Sequence, residues 1–161
     1  MGRLWAQRHG WDFYDLDALL EAEDGGRRTS RQIFQEEGSS GFQAREAAAA
    51  RTVAPRLAQG AAVLAWGGGT VTNPAAVEVL RPLGTIVHLD DDVEALYQRI
   101  LRGGRPAFLS AEHPWEDFQR IYRERTALLR ALTPHRVDMT GAGVEEGVSR
   151  LEAFWATVTT Q

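Results

Sequence analysis

Short apolar stretches that alternate with helical patterns along the whole chain constrain this protein more than any other feature. "WDFYD" (11–15), "AAVLAW" (61–66), "TIVHLD" (85–90) and "HRVDM" (135–139) read as strands, with 61–66 buried. Helical patterns fall between and after them: "LDALLEAE" (16–23), "TSRQIFQEEG" (29–38), a longer Ala-rich run over 41–60, "NPAAVEVLRPLG" (73–84), "DDVEALYQRILRGG" (91–104), "WEDFQRIYRERTALLRAL" (115–132) and a final helix from Gly143. Thr29 or Ser30 caps the second of these and Gly38 closes it, whereas Asn73 with Pro74 is a cap followed by a proline at the first helical position. Strand–helix–strand repetition predicts an α/β fold, a parallel sheet with helices on both faces in three layers. Such sheets bind ligands at the carboxyl ends of their strands.

Composition narrows the partners. A chain of 161 residues is the size of one domain with a substantial core. It has no cysteine, which excludes disulfides, thiolate metal sites and cysteine nucleophiles. The net charge of −4 gives no general attraction to polyanions. No apolar run approaches ~18 residues. The expectation is a cytoplasmic monomer with a small-molecule substrate and no nucleic-acid or membrane partner.

Two predicted strands end in unusual chemistry. "DFYDLD" places Asp15 at a strand end and Asp17 at the next helix start. Asp17 could simply cap that helix. Alternatively both carboxylates enter the cleft, one near a metal ion and one on a substrate hydroxyl, since alternate residues of an extended chain share a side. "VLAWGGGTV" sets Gly67, Gly68 and Gly69 after a strand. Three glycines imply either positive φ in a tight turn, or backbone N–H groups offered to an anion where a side chain would obstruct. "GGRPAF" carries Arg105 behind a glycine pair that could hinge a loop. Arg123, Arg125 and Arg130 lie on one helix, and Gln43, Arg45 and Glu46 on another, where solvated surface positions are the ordinary outcome. The four histidines show no ligand spacing, the tryptophans read as packing groups, and "GGRRTSR" (25–31) reads as a solvated turn.

Taken in order, "DFYDLD", "IFQEEG", "GFQAREA", "LAWGGGTV", "GGRPAF" and "YRERTALL" resemble the shikimate kinase family over nearly the full length. The resemblance implies a P-loop, nucleoside-monophosphate-kinase-like fold in one domain, with a lid loop at about 103–114. It implies phosphoryl transfer from ATP to the 3-hydroxyl of shikimate, with Mg²⁺, in chorismate and aromatic amino-acid biosynthesis. Asp17 would bind substrate hydroxyls and help deprotonate the attacking one, and Asp15 would sit near the metal through water. Gly67, Gly68 and Gly69 would offer amides to the substrate carboxylate, and Arg125 would pair with it. Arg105 would close over the ATP phosphates. Phe34 and Phe42 would wall the pocket, and Glu46 would orient arginines around it.

Three departures from the family pattern stand out. The phosphate loop G-x-x-x-x-G-K-[ST] does not occur in residues 1–161, and the helix "GRLWAQRH" begins where that loop would end. The expectation is that the first strand and its loop lie upstream of Met1, and that residues 1–161 alone are inactive. Gln43 stands where the family has an arginine for the carboxylate, and Arg45, two residues on, is turned about 200° away on a helix. Leu129 replaces a tyrosine, and "DMTGAG" lacks an arginine expected near adenine. Two other readings stay open: a related small-molecule kinase with another hydroxylated acceptor, and a non-catalytic binding or regulatory protein.

Overall fold

The computed structural model describes residues 1–159. The chain falls into two compact units, Met1–Thr85 and the remainder from Ile86.

In the first unit, α1 (Gly2–His9) ends on Gly10, a glycine C-cap with a left-handed φ of 67°. Strand β1 (Asp12–Asp15) pairs in parallel with β2 (Ala62–Ala65), Phe13 opposite Val63 and Tyr14 opposite Leu64. Side chains alternate across this pair. Phe13 and Val63 meet α1 at Gly2, and the Arg3 guanidinium lies 4.6 Å from the Phe13 ring centre. Tyr14 and Leu64 face the opposite way, onto a core of Leu16, Leu20, Ile33, Ala47, Ala50, Val53 and Leu80. That core comes from α2 (Leu16–Glu23), α3 (Ser30–Leu57) and α4 (Pro74–Leu80). Parallel pairing with helices on both faces is therefore realised here. Strand β2 is half-buried rather than buried, because within this unit it pairs along one edge only.

Helix α3 is two helices meeting at Gly38. Thr29 starts the first through a capping box with Gln32. Gly38 has φ 69° and ψ −174°, a region open essentially to glycine alone. Gly38→Ala is therefore expected to cost about 1–3 kcal/mol, measurable as a lower Tm in thermal unfolding. The second helix runs through Pro55 to Leu57. The 25–31 turn is not merely solvated. Arg28 donates to Asp24 at 2.6 Å, to Glu36 at 2.8 Å and to Glu37 at 2.9 Å, and Asp24 is only 3 % exposed. These bonds to the guanidinium hold the Asp24 carboxyl below its ordinary range.

In the second unit, β3 (His88–Asp90) pairs in parallel with β4 (Arg136–Asp138). The strand starts at His88 rather than residue 85: the Ile86 carbonyl accepts from the Thr133 hydroxyl at 2.7 Å, outside the ladder, and backbone pairing begins with His88 N–H to His135 O. Helices α5 (Val93–Leu101), α6 (Pro114–Leu132) and α7 (Val144–Thr159) complete it. Tyr97 of α5 packs on Trp115 and Phe118 of α6. Asp90, 5 % exposed, accepts from Tyr122 at 3.0 Å and pairs with Arg136, which fixes α6 to the end of β3. No helix among the described residues is long and apolar enough to cross a membrane.

Candidate active site

The carboxyl ends of β1 and β2 lie side by side, and Asp15, Asp17 and the Gly67–Gly69 turn lie at or just after them, with Gln43 and Glu46 bonded to residues 70–73 just after the turn. Asp15, not Asp17, caps α2: its Oδ1 accepts from the Asp17 and Ala18 N–H groups at 3.1 and 3.2 Å. The chain is already turning into a helix at Leu16, so the two carboxylates are not alternate residues of an extended strand. Capping by Asp15 leaves the Asp17 side chain free of that duty. It lies against the glycine turn instead, where a Cβ added to Gly67 would stand 3.5 Å from Oδ2 and 3.7 Å from Oδ1. That is ordinary contact distance, so a larger residue at Gly67 would cover the carboxylate. None of Gly67, Gly68 and Gly69 has positive φ, so backbone strain does not call for glycine here. Gly68 is exposed at the tip of the turn.

The Asp17 carboxyl is raised from its ordinary value to about 6. Burial is the largest cause, followed by the negative charges of Asp15, Glu46 and Glu21. A carboxylate poised there can accept a proton from a bound hydroxyl near neutral pH.

Behind the glycine turn, Glu46 is 2 % exposed. The notion that it orients arginines is replaced by another arrangement: Oε1 accepts from the Thr70 hydroxyl at 2.6 Å and Oε2 from the Asn73 amide at 2.8 Å. Gln43, one turn earlier on α3, donates through Nε2 to the Thr72 carbonyl at 3.2 Å. Arg45 points elsewhere, to Glu37 at 2.7 Å and Asp24 at 3.4 Å, as its helical position demands. Phe34 and Phe42, on either side of the Gly38 break, meet edge to face with centres 5.6 Å apart. Thr70 and Asn73 escape a sequence reading of the site. Asn73 reads as a helix cap, which it is, through Oδ1 to Ala76 N–H at 3.4 Å. The available signal was Glu46 itself, an acid set among Ala47, Ala49 and Ala50 on a buried face.

Arg105 and Arg125 lie in the second unit. Arg105 donates to the Leu109 carbonyl at 2.8 Å, within the 103–114 loop. The Arg125 guanidinium stands 5.7 Å from the centre of the Phe108 ring, so this α6 arginine is in reach of the same loop. The loop is also held to α6 by Asp117, which accepts from Ser110 N–H at 2.9 Å. A hydrogen bond from the Ser110 side chain, and after it this backbone bond, lower the Asp117 carboxyl to about 2.

The described residues hold no preassembled cluster of metal ligands. They contain no group of three acidic or histidine ligands, and one oxygen of Asp15 is committed to two backbone amides. Nor do they include a phosphate cradle of the G-x-x-x-x-G-K-[ST] type, and all 18 basic residues of the chain are arginines.

A parallel α/β fold with a raised carboxylate against a glycine turn at the strand ends defines the class of α/β proteins that bind a small hydroxylated ligand at their strand ends. Within that class the relationship is specific. The model for the shikimate kinase family matches residues 1–155. The shikimate kinase of Thiobacillus denitrificans is 33% identical over 151 residues, 94% of this chain and 79% of that protein. That of Aromatoleum aromaticum is 33% identical over 150 residues, 93% of this chain and 82% of the relative. Among solved structures, the Acinetobacter baumannii shikimate kinase in complex with shikimate superposes with a TM-score of 0.81 at 29% identity, covering 97% of this chain and 85% of that one. The Aquifex aeolicus shikimate kinase, at 20% identity and a TM-score of 0.75, shares the fold, covering 98% and 89%. The chain belongs to the shikimate kinase family, whose members are ATP phosphotransferases acting on shikimate.

Proposed function

We propose that residues 1–161 carry the acceptor side of a shikimate kinase, a single catalytic domain in which the 103–114 loop serves as the lid. The observation that supports this most is Asp17, half-buried, raised to about 6 and set against Gly67. In this reading Asp17 accepts hydrogen bonds from the shikimate hydroxyls and takes the proton of the attacking 3-hydroxyl. Exposed amides of the glycine turn, at Gly68 above all, bind the carboxylate, the partner that the family resemblance also gives to Arg125. Phe34 and Phe42 wall the pocket, and Arg105 closes over the ATP phosphates. Magnesium arrives with ATP; the free oxygen of Asp15 could touch it only through water, and no step is assigned to it. A cytoplasmic, monomeric enzyme of aromatic amino-acid biosynthesis is the setting this activity implies.

Calorimetric titration of residues 1–161 with shikimate tests the reading: saturable binding that Asp17→Ala removes is the expected result, and no binding overturns it. Gln43 offers a second test. A charge-assisted hydrogen bond contributes ~1.5–3 kcal/mol against ~0.5–1.5 for a neutral one, so Gln43→Arg should strengthen shikimate binding by about 1–2 kcal/mol. That is roughly a tenfold lower Kd. Weaker binding in Gln43→Arg with the amide resonances of Gly67, Gly68 and Gly69 unmoved would point to a different hydroxylated acceptor, one without a carboxylate at this place. That second reading has one observation in its favour, the neutral amide of Gln43 engaged with Thr72.

A further inference from the structure

We propose that Thr70 and Asn73 are positioning residues, which fix the Gly67–Gly69 turn against α3 through the buried carboxylate of Glu46. The proposal rests on the acceptor-site reading above. Three consecutive glycines have the freest backbone a chain can offer and no side chains to pack, so the direction of their N–H groups must be imposed from outside. The residues that follow do this. Thr70 and Asn73, 0 % and 2 % exposed, place one donor on each oxygen of Glu46. Asn73 Nδ2 also donates to the Gln43 carbonyl at 2.8 Å, and Gln43 Nε2 returns a bond to the Thr72 carbonyl. Four side-chain hydrogen bonds thus join the 70–73 segment to one turn of α3. From inside the turn, Thr72 Oγ1 donates to the Gly69 carbonyl at 2.6 Å and Thr70 N–H to the Gly67 carbonyl at 3.1 Å.

A buried carboxylate deprived of a donor is costly, so this arrangement has one favoured register. Sliding the turn by a residue would strip both Glu46 oxygens at once. The same carboxylate is near enough to Asp17 to raise it. Clamp and Asp17 thus border the same glycine turn, Asp17 through its contact with Gly67.

The test uses residues 1–161, calorimetric shikimate binding, and the amide resonances of Gly67, Gly68 and Gly69, all well below each variant's Tm. Thr70→Val keeps the shape and removes the hydroxyl; Thr70→Ser keeps the hydroxyl. Thr70→Val is expected to weaken shikimate binding about tenfold and to displace the glycine resonances, while Thr70→Ser stays within about twofold of the parent. Equal losses in the two variants would mean that volume matters rather than the hydrogen bond, and would overturn the proposal. Should Thr70→Val not fold, Asn73→Ser decides: serine can still cap α4 but is too short to reach Glu46, so unchanged binding and unmoved glycine resonances sink the clamp. If the parent binds no shikimate, the acceptor reading fails separately. The resonances then judge the clamp alone: displacement by Thr70→Val and restoration by Thr70→Ser support it, and their absence overturns it.

Discussion

Mixed with shikimate, Mg²⁺ and ATP, residues 1–161 are expected to transfer no phosphoryl group and to gain no thermal stability from ATP. Phosphoryl transfer depends almost wholly on positioning and on charge neutralisation around the phosphates. Kinases of this fold class supply both through amides and a lysine of the phosphate loop, with a hydroxyl on the metal. None of these groups is present here: the motif does not occur in the 161 residues, and no lysine stands in for it. Arginine remains in the 103–114 loop, but a single phosphate-stabilising arginine contributes about 10³–10⁵-fold only when the rest of the cradle is built. Joining a strand and a G-x-x-x-x-G-K-[ST] loop ahead of Met1 is expected to give measurable transfer and stabilisation by ATP. A coupled assay of ADP release, together with melts with and without ATP, checks both halves. Turnover or ATP-dependent stabilisation by residues 1–161 alone would show that other groups of the chain hold the phosphates and would overturn this expectation.

Replacing Asp17 by asparagine is expected to remove shikimate binding while making the fold more stable near pH 7. The raised carboxyl carries the reason. Folding lifts Asp17 from 3.8 to about 6, so at pH 7 the folded protein holds a charge in a place that disfavours it. Its ordinary value in the unfolded chain is the lower one. The stabilising state is therefore the protonated one, fully present below pH 3.8 and lost as pH rises through about 6. Such a rise corresponds at most to about 3 kcal/mol. Asp17 is only half-buried, and solvent screening brings the expected gain in Asp17→Asn to about 1–2 kcal/mol. Thermal melts should show a higher Tm for the variant at pH 7, with the difference shrinking towards pH 4. A variant less stable at pH 7 would mean that Asp17 makes a stabilising contact that outweighs its burial. Loss of binding together with a gain in stability is the mark of a group kept for function.

The order of elements was legible because it depends on local chemistry. The span 16–23 forms α2 as read, Gly10 takes the left-handed C-cap, Thr29 makes its capping box, and Asn73 caps α4 with Pro74 at the first position. Each needs only neighbours along the chain. The glycine turn and the acids beside it could likewise be located, since three glycines after an apolar strand have few other uses.

What each group bonds to could not be read this way. Asp15 and Asp17 are equally able caps by type, and only the turn at Leu16 decides that Asp15 takes the amides and leaves Asp17 against Gly67. Glu46 finds its donors 24 and 27 residues away, at Thr70 and Asn73. Arg28 looked like surface charge until Asp24, Glu36 and Glu37 converged on it. The sequence by itself determined the order of helices and strands and several of their caps, because caps, glycines and side-chain periodicity act over a few residues. Only the tertiary structure decided which carboxylate is solvated, which is clamped and which is raised to about 6, because burial and charge act through space between residues far apart along the chain.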